Sequence, residues 1–580
     1  MGARWAAALL GLAMVAGMSM VSAKVVEYEW EVSYINAAPD CYSKTILGIN
    51  GIYPGPTIRA SQNDTVRVTM KNHVATEGIT MHWHGIRQIG SPWADGTAAV
   101  SQCPIVYGES FTYEFTVDRP GTYFYHGHFG CQRAAGFYGS LIVDLPDGMY
   151  EPYHYEGEHM IIVNDWWHRG IIDQEQGLES TTFKWVGEPQ SLLLEGRGRY
   201  NCSKVPKYDP AAISCNQTDE RCAPHVWKVE RGKTYRLRLA SVASLSTLNF
   251  KIEGHMMQVV EADGHNIEPF YTDNIDIYSG ETYSVLVHCN GTLDNYHLGL
   301  NVRGRTDKDV PTGLGILNYN NATAYQPNTP WPKGPAWDDF PASKAQAKKY
   351  KALRNNPDPT SHAFNKTEHA VTRTIILLNT QNKYQGHTKW AINNVTYAPL
   401  QTPLLAALVY NISGAVDLTP PPDYPTSGYN IFNPPANPNT NVGSGVYQFN
   451  TGDVVELILQ NAATLTANQS EVHPWHLHGH DFWIMGYGDG VYDPIKSPFT
   501  FELDNPPARN NVPLFPFGWT AIRFKLDNPG AWPFHCHVEW HFHMGMGVMF
   551  AHGIDQVRQK GIPSSTLGCG LTKTLFKLNP

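Results

Sequence analysis

PGAWPFHCHVEWHFHMGMGVMF, residues 529–550, has a counterpart early in the chain in PGTYFYHGH, 120–128, followed by GFYGSLIV, 136–143. Both begin Pro-Gly and run through aromatic residues to His-x-His at the same spacing. Both then lead into a Gly-rich apolar strand. A second matched pair is TMHWHG (80–85) and PWHLHG (474–479). Each of these follows a strand of alternating polar and apolar residues, DTVRVTMKN (64–72) and DVVELILQN (453–461). A third such strand, KTYRLRLAS (233–241), lies mid-chain with no His-x-His after it. Period-2 alternation is the signature of β-strands. The repeat predicts three related β-sandwich units, with metal motifs in the first and last.

Composition agrees with an all-β chain. Of 580 residues, only 16% are charged, while Gly (51) and Pro (41) are plentiful, as in proteins of many short strands and turns. The net charge of −9 lacks the basic excess of a nucleic-acid binder. Arg4, an apolar run over 6–17 and the small residues Val21-Ser22-Ala23 read as a secretory signal, 1–23. That run falls short of the ~20 residues that a spanning helix needs, so no membrane anchor is expected. N-x-S/T triplets begin at Asn63, Asn201, Asn216, Asn290, Asn321, Asn365, Asn394, Asn411 and Asn468, which fits an exported glycoprotein. Nine cysteines leave one over if the rest pair, and Cys536 is the one set among metal ligands. The expected division is 24–150, 151–365 and 366–580. The Pro-, Lys- and Asn-rich stretch 328–360 serves as a linker with one short helix.

His-x-His occurs at His82/His84, His126/His128, His476/His478 and His535/His537. In a strand, residues i and i+2 share a face, so each pair offers two imidazoles to one cavity. Eight imidazoles exceed what one zinc ion takes. They suit a cluster of two or three ions between the first and last units. Imidazole alone does not name the metal; Cys536 does. With His473, His541 and Met546 it supplies two imidazoles, a thiolate and a thioether, the ligand set of a blue-copper electron-transfer centre. His543 and Met544 read as packing or supporting residues. His535 and His537 flank Cys536 in the chain and point to the opposite face, towards the cluster. A one-electron acceptor is thereby wired to a multi-metal site, an arrangement suited to the four-electron reduction of dioxygen.

At this point the chain resembles the multicopper oxidases. HWHG (82–85), HGH (126–128), HPWHLHGH (473–480) and HCHVEWHFHMGMG (535–547) are similar to that family's four copper motifs, in their usual order. GINGIYPGPTIRA (48–60), SPWADGTAAVSQC (91–103), EADGHNIEPFYT (261–272), KWAINN (389–394) and FPFGWTAIRF (515–524) resemble the plant ascorbate oxidase subgroup. The resemblance implies three cupredoxin-like Greek-key β-sandwich domains and four coppers per chain. Type 1 copper would take His473, Cys536, His541 and Met546, and type 2 His82 and His476. The type 3 pair would take His84, His126, His128, His478, His535 and His537. It implies ascorbate and dioxygen as substrates and secretion to the extracellular wall space, and it admits a homodimer. Trp185 and Trp390 match aromatic residues that flank a substrate pocket beside His541. Asp95 and Glu539 match carboxylates that supply protons near the cluster, with support of the histidine ligands as the other reading.

Family-type disulfides would be Cys41–Cys222, Cys103–Cys569 and Cys202–Cys215, which leaves Cys131 and Cys289 unmatched. Cys131 stands where Met is more ordinary. Trp540 replaces the Pro common in the subgroup and leans towards laccases. A laccase-type phenol oxidase is therefore the runner-up, ahead of a ferroxidase or a non-catalytic wall protein.

Overall fold

The computed structural model describes residues 23–578, apart from 208, 210–213, 293, 305–309, 324–331, 357–359, 424–428 and 435–439. The expected signal segment lies outside the described residues, except for its last residue, Ala23. Among the described residues the strands form six sheets, two from each third of the chain. Sheets of four and four strands are built from 25–144, of six and five from 157–319, and of eight and five from 373–552. Each pair closes over an apolar core and makes one cupredoxin-like sandwich.

The internal repeat is visible in the pairing. Thr65–Asn72 lies parallel to Val25–Ala37 and antiparallel to Ser110–Thr116. Thr234–Ser241 stands in the same relation to Gly157–Trp166 and Thr282–His288. Val454–Asn461 does so to Arg373–Tyr384 and Gly518–Lys525. A parallel pair beside antiparallel neighbours requires the chain to cross between sheets, which is how a Greek key is wound. The three alternating segments in the sequence are thus the same strand of three sandwiches.

Burial differs between these equivalents. Thr65–Asn72 alternates between buried and half-buried positions, with Lys71 exposed, because its outer face meets water. Val454–Asn461 is buried throughout. Its outward Glu456 is held by Arg523 at 2.6 Å, and Gln460 donates to the carbonyls of Gly490 and Gly518. A buried charge or amide is tolerated when it is paired in this way.

Disulfides tie the sandwiches together. Cys41–Cys222 joins the first to the second, Cys103–Cys569 joins the first to the C-terminal tail, and Cys202–Cys215 closes a loop in the second. Cys131, Cys289 and Cys536 are buried and unbridged. The expected linker helix is Phe340–Ala347, where Asp339 caps the amide of Ala342. No described helix is long and apolar enough to cross a membrane.

Candidate metal centre

The first and third sandwiches present matching pairs of strands to each other. Met81–His84 lies antiparallel to Gly121–Gly127 with His82 opposite His126. His473–Leu477 lies antiparallel to Gly530–Cys536 with His476 opposite His535 and Trp475 opposite Cys536. Across the junction the rings of His84 and His476 stack at 3.8 Å and those of His82 and His478 lie 4.0 Å apart. His128 approaches His535 at 5.3 Å, and His537 approaches His84 at 4.7 Å. All eight predicted imidazoles therefore gather in one place.

Their orientation follows from the backbone around them. Nδ1 of His82 donates to the Asp95 carbonyl (2.8 Å), that of His126 to Gly127 (2.9 Å), that of His476 to Asn510 (2.8 Å) and that of His535 to Cys536 (2.9 Å). A carbonyl only accepts, so Nδ1 carries the proton and the Nε2 lone pair is left for a metal. Nε2 of His82, His126 and His476 is buried without a hydrogen-bond partner, as are both nitrogens of His84. Such buried lone pairs are costly unless something ligates them. Three sets of donor atoms fall within 4.8 Å of one another: His82, His476 and His478; His82, His84 and His126; and His128, His478 and His535. Burial first, then mutual repulsion, holds His84, His476 and His478 well below the usual imidazole range. They are neutral, as a metal ligand must be.

A further donor set, with atoms within 4.8 Å, is His473, Cys536 and His541. Sγ of Cys536 lies 3.8 Å from Nδ1 of His473 and 3.7 Å from Nδ1 of His541. Burial first, then the His541 ring beside it, pushes the His473 imidazole down to about 3, and burial raises the Cys536 thiol against the pull of Arg133. Met546 is fully buried beside them. Its carbonyl accepts the Cys536 amide (3.1 Å), and its amide donates to the His541 carbonyl (3.0 Å). The one-turn helix Glu539–His543 brings His541 and Met546 back onto Cys536, which explains the tight spacing of these residues.

Three multicopper oxidase family models match the chain, at 31–148, 157–322 and 417–556. An L-ascorbate oxidase of Cucurbita maxima is 50% identical over 98% of this chain and 97% of its own.

The chain belongs to the multicopper oxidase family.

Laccase-11 of Arabidopsis thaliana is 34% identical over 92% of this chain and 93% of its own. Among solved structures, a laccase from Botrytis aclada superposes with a TM-score of 0.74 at 26% identity, covering 96% of this chain and 92% of that one. Family membership implies copper. The buried, neutral imidazoles and the lone thiol fit that ion's preference for nitrogen and soft sulfur donors.

The remaining expected residues of this multicopper oxidase fall close by. Oδ2 of Asp95 accepts Nδ1–H of His478 at 2.9 Å and the Thr97 hydroxyl at 2.8 Å. Glu539 accepts the amides of Arg133 (3.0 Å) and Ala134 (2.9 Å), and so ties the first sandwich to the third. Burial raises its carboxyl above the usual range against the pull of Arg133. Trp390 and Trp185 flank the ring of His541 at 4.9 Å and 6.1 Å, the latter nearly parallel to it. Trp540 faces elsewhere: it is fully buried and meets Trp167 edge-on at 5.8 Å.

Two residues escape sequence reasoning. Glu471 lies 3.2 Å from Nε2 of His541 and fixes the tautomer that leaves Nδ1 for the metal. Its place two residues before His473 is the signal that was available. Arg133 sits against His537, with Nη1 at 2.7 Å from Nδ1 and 3.0 Å from Nε2. In this arrangement His537 belongs to none of the four donor sets that assemble the other ligands. The guanidinium must swing aside for that imidazole to bind a metal.

Proposed function

We propose that this multicopper oxidase takes electrons from L-ascorbate at the rim of His541 and delivers them to dioxygen at the eight-imidazole cluster. The products are monodehydroascorbate, then dehydroascorbate, and water. The observation that carries this reading is the pair of indoles, Trp185 and Trp390, whose rings lie 6.1 and 4.9 Å from that of His541. The 50% identity to a protein named L-ascorbate oxidase supports it. Two ascorbates give up four electrons, and one dioxygen takes them with four protons to become two waters.

We assign type 1 copper to His473, Cys536, His541 and Met546, and type 2 to His82 and His476. The type 3 pair takes His84, His126, His128, His478, His535 and His537. When bound, copper supplies one-electron chemistry at the first site and oxygen-reducing chemistry at the cluster. The chain supplies the rest. The indoles offer flat apolar walls for a small ring. Glu471 orients His541. Cys536 is covalently continuous with His535 and His537, so an electron leaving Sγ crosses one peptide unit to either neighbour without a jump through space. Asp95, which accepts Nδ1–H of His478, is placed to pass protons towards the cluster. Glu539, with both oxygens on backbone amides, supports it. We further propose export to the extracellular wall space, and a division into 24–150, 151–365 and 366–580.

The test is turnover by one copper-loaded preparation on ascorbate, a methoxyphenol and ferrous iron. Ascorbate should be preferred. Preference for the phenol would move the protein to the laccases. Preference for iron would make Glu471 the acidic neighbour that a ferroxidase needs.

A further inference from the structure

Outside the two centres described, one other set of donor atoms converges among the described residues. Sγ of Cys131, a carboxylate oxygen of Glu175 and a ring nitrogen of His543 lie within 4.8 Å of one another. They come from all three sandwiches. Cys131 follows the HGH strand of the first, Glu175 lies on helix Ile171–Glu179 of the second, and His543 ends helix Glu539–His543 of the third. None serves the proposed reaction. Nε2 of His543 is buried and makes no hydrogen bond, and it lies 3.4 Å from Oε1 of Glu179. Glu175 and Glu179 are four residues apart and share a helix face. The carboxylate of Glu175 is already aimed at the spot, because its Oε1 accepts the Cys131 amide at 2.9 Å. Gly130 leaves the room: a Cβ there would stand 2.8 Å from that oxygen.

We propose that Cys131, Glu175 and His543 form an additional metal site for a borderline divalent cation of the zinc type, separate from the copper centres. One thiolate, one imidazole and one carboxylate are the three protein ligands of an open zinc site. Water or Glu179 completes the tetrahedron. Bond lengths of about 2.0–2.3 Å require ligand atoms within 4.8 Å of one another, as these are. The Cys131 thiol loses its proton to solvent as the sulfur–metal bond forms, and no electron moves. Burial, aided by Glu175, holds that thiol protonated beforehand, so uptake weakens as pH falls. The site pins the helix that carries His541 to the other two sandwiches. His543 of the site also stands 3.4 Å from Glu179, which accepts Lys389, the chain neighbour of Trp390, at 2.6 and 2.7 Å. Occupancy thus reaches the electron-entry rim without touching it.

The experiment is equilibrium dialysis of the copper-loaded protein against zinc, with zinc and copper counted per chain. The expected result is one zinc per chain with copper unchanged. Binding should be at least tenfold weaker in Cys131→Ser, Cys131→Met and Glu175→Gln. Cadmium added to the wild-type holoenzyme should give a thiolate-to-metal ultraviolet band that Cys131→Met lacks, a readout that needs only one folded variant. Equal zinc binding in wild type and variants, zinc bound only as copper is lost, or no cadmium band in wild type would each overturn the proposal. None of these results depends on which donor the enzyme oxidises.

Discussion

At the scale of single residues, Cys536 has the clearest consequence. It is the one thiol that shares a donor set with both His473 and His541. Cys536→Ser should abolish the visible thiolate-to-copper absorption while the cluster keeps its copper, measured by metal content and optical spectrum together. The indoles separate by what they touch. Trp390→Ala or Trp185→Ala removes a wall beside His541, so KM for ascorbate should rise several-fold with oxygen reduction by pre-reduced enzyme little changed. Trp540 packs on Trp167 instead. Trp540→Ala should cost about 3–5 kcal/mol of stability, the usual range for a buried Trp emptied to Ala, and leave the ranking of donors as it was. The letter that leans towards laccases thus lies in the core, with its ring on Trp167.

At the scale of elements, alternation in the sequence located the repeated strands. It did not foretell that the polar faces of Thr234–Ser241 and Val454–Asn461 would also be buried. Arg236 and Arg238 occupy polar positions of KTYRLRLAS, yet they are nearly inaccessible. Arg236 pairs with Glu261 and Glu151, Arg238 with Glu158, and Thr122 of the first sandwich donates its amide to Glu261 at 2.8 Å. The polar face of this strand is the contact with the neighbouring sandwich, a fact that period 2 cannot carry. Turns between strands rely on single carboxylates. Asp165 accepts the amides of Ser244, Leu245 and Ser246 at 2.7–3.0 Å with no exposure. Asp165→Ala strands three buried donors and should cost roughly 3 kcal/mol or more, read as a fall in the denaturation midpoint. Asp165→Asn, which keeps one acceptor, should lose less.

At the scale of the whole molecule, charged hubs hold the sandwiches in register. Asp481 meets Arg119 at 2.6 Å, His265 at 3.3 Å and His362 at 3.5 Å. Burial raises the Asp481 carboxyl, but Arg119 and the histidines outweigh it and hold it well below the usual range. His362 accepts a hydrogen bond from Arg87 at 2.5 Å, and burial pushes its imidazole down to about 2. Its folded pKa is lowered from an unfolded value near 6.5. Between pH 6.5 and 2 the unfolded chain therefore takes up a proton that the folded chain refuses, and stability falls as pH falls. His362→Gln should flatten the loss of Tm between pH 6.5 and 4.5. An unchanged slope would remove His362 from the account. Eight of the nine N-x-S/T asparagines are exposed, and only Asn394 is half-buried, which suits the export proposed above.

The sequence by itself determined the ligand types, their His-x-His spacing and the strand that repeats in each sandwich. It could do so because strand geometry is local: two residues apart means the same face, whatever the surroundings. The tertiary structure alone decided what faces those ligands. Glu471 beside His541 is set by the folding of the third sandwich alone, whereas Arg133 against His537, and Cys131 with Glu175 and His543, depend on how three sandwiches dock. These partners meet only because buried ion pairs, backbone-bound carboxylates and interdomain disulfides fix one docking, and no spacing within the chain encodes that distance.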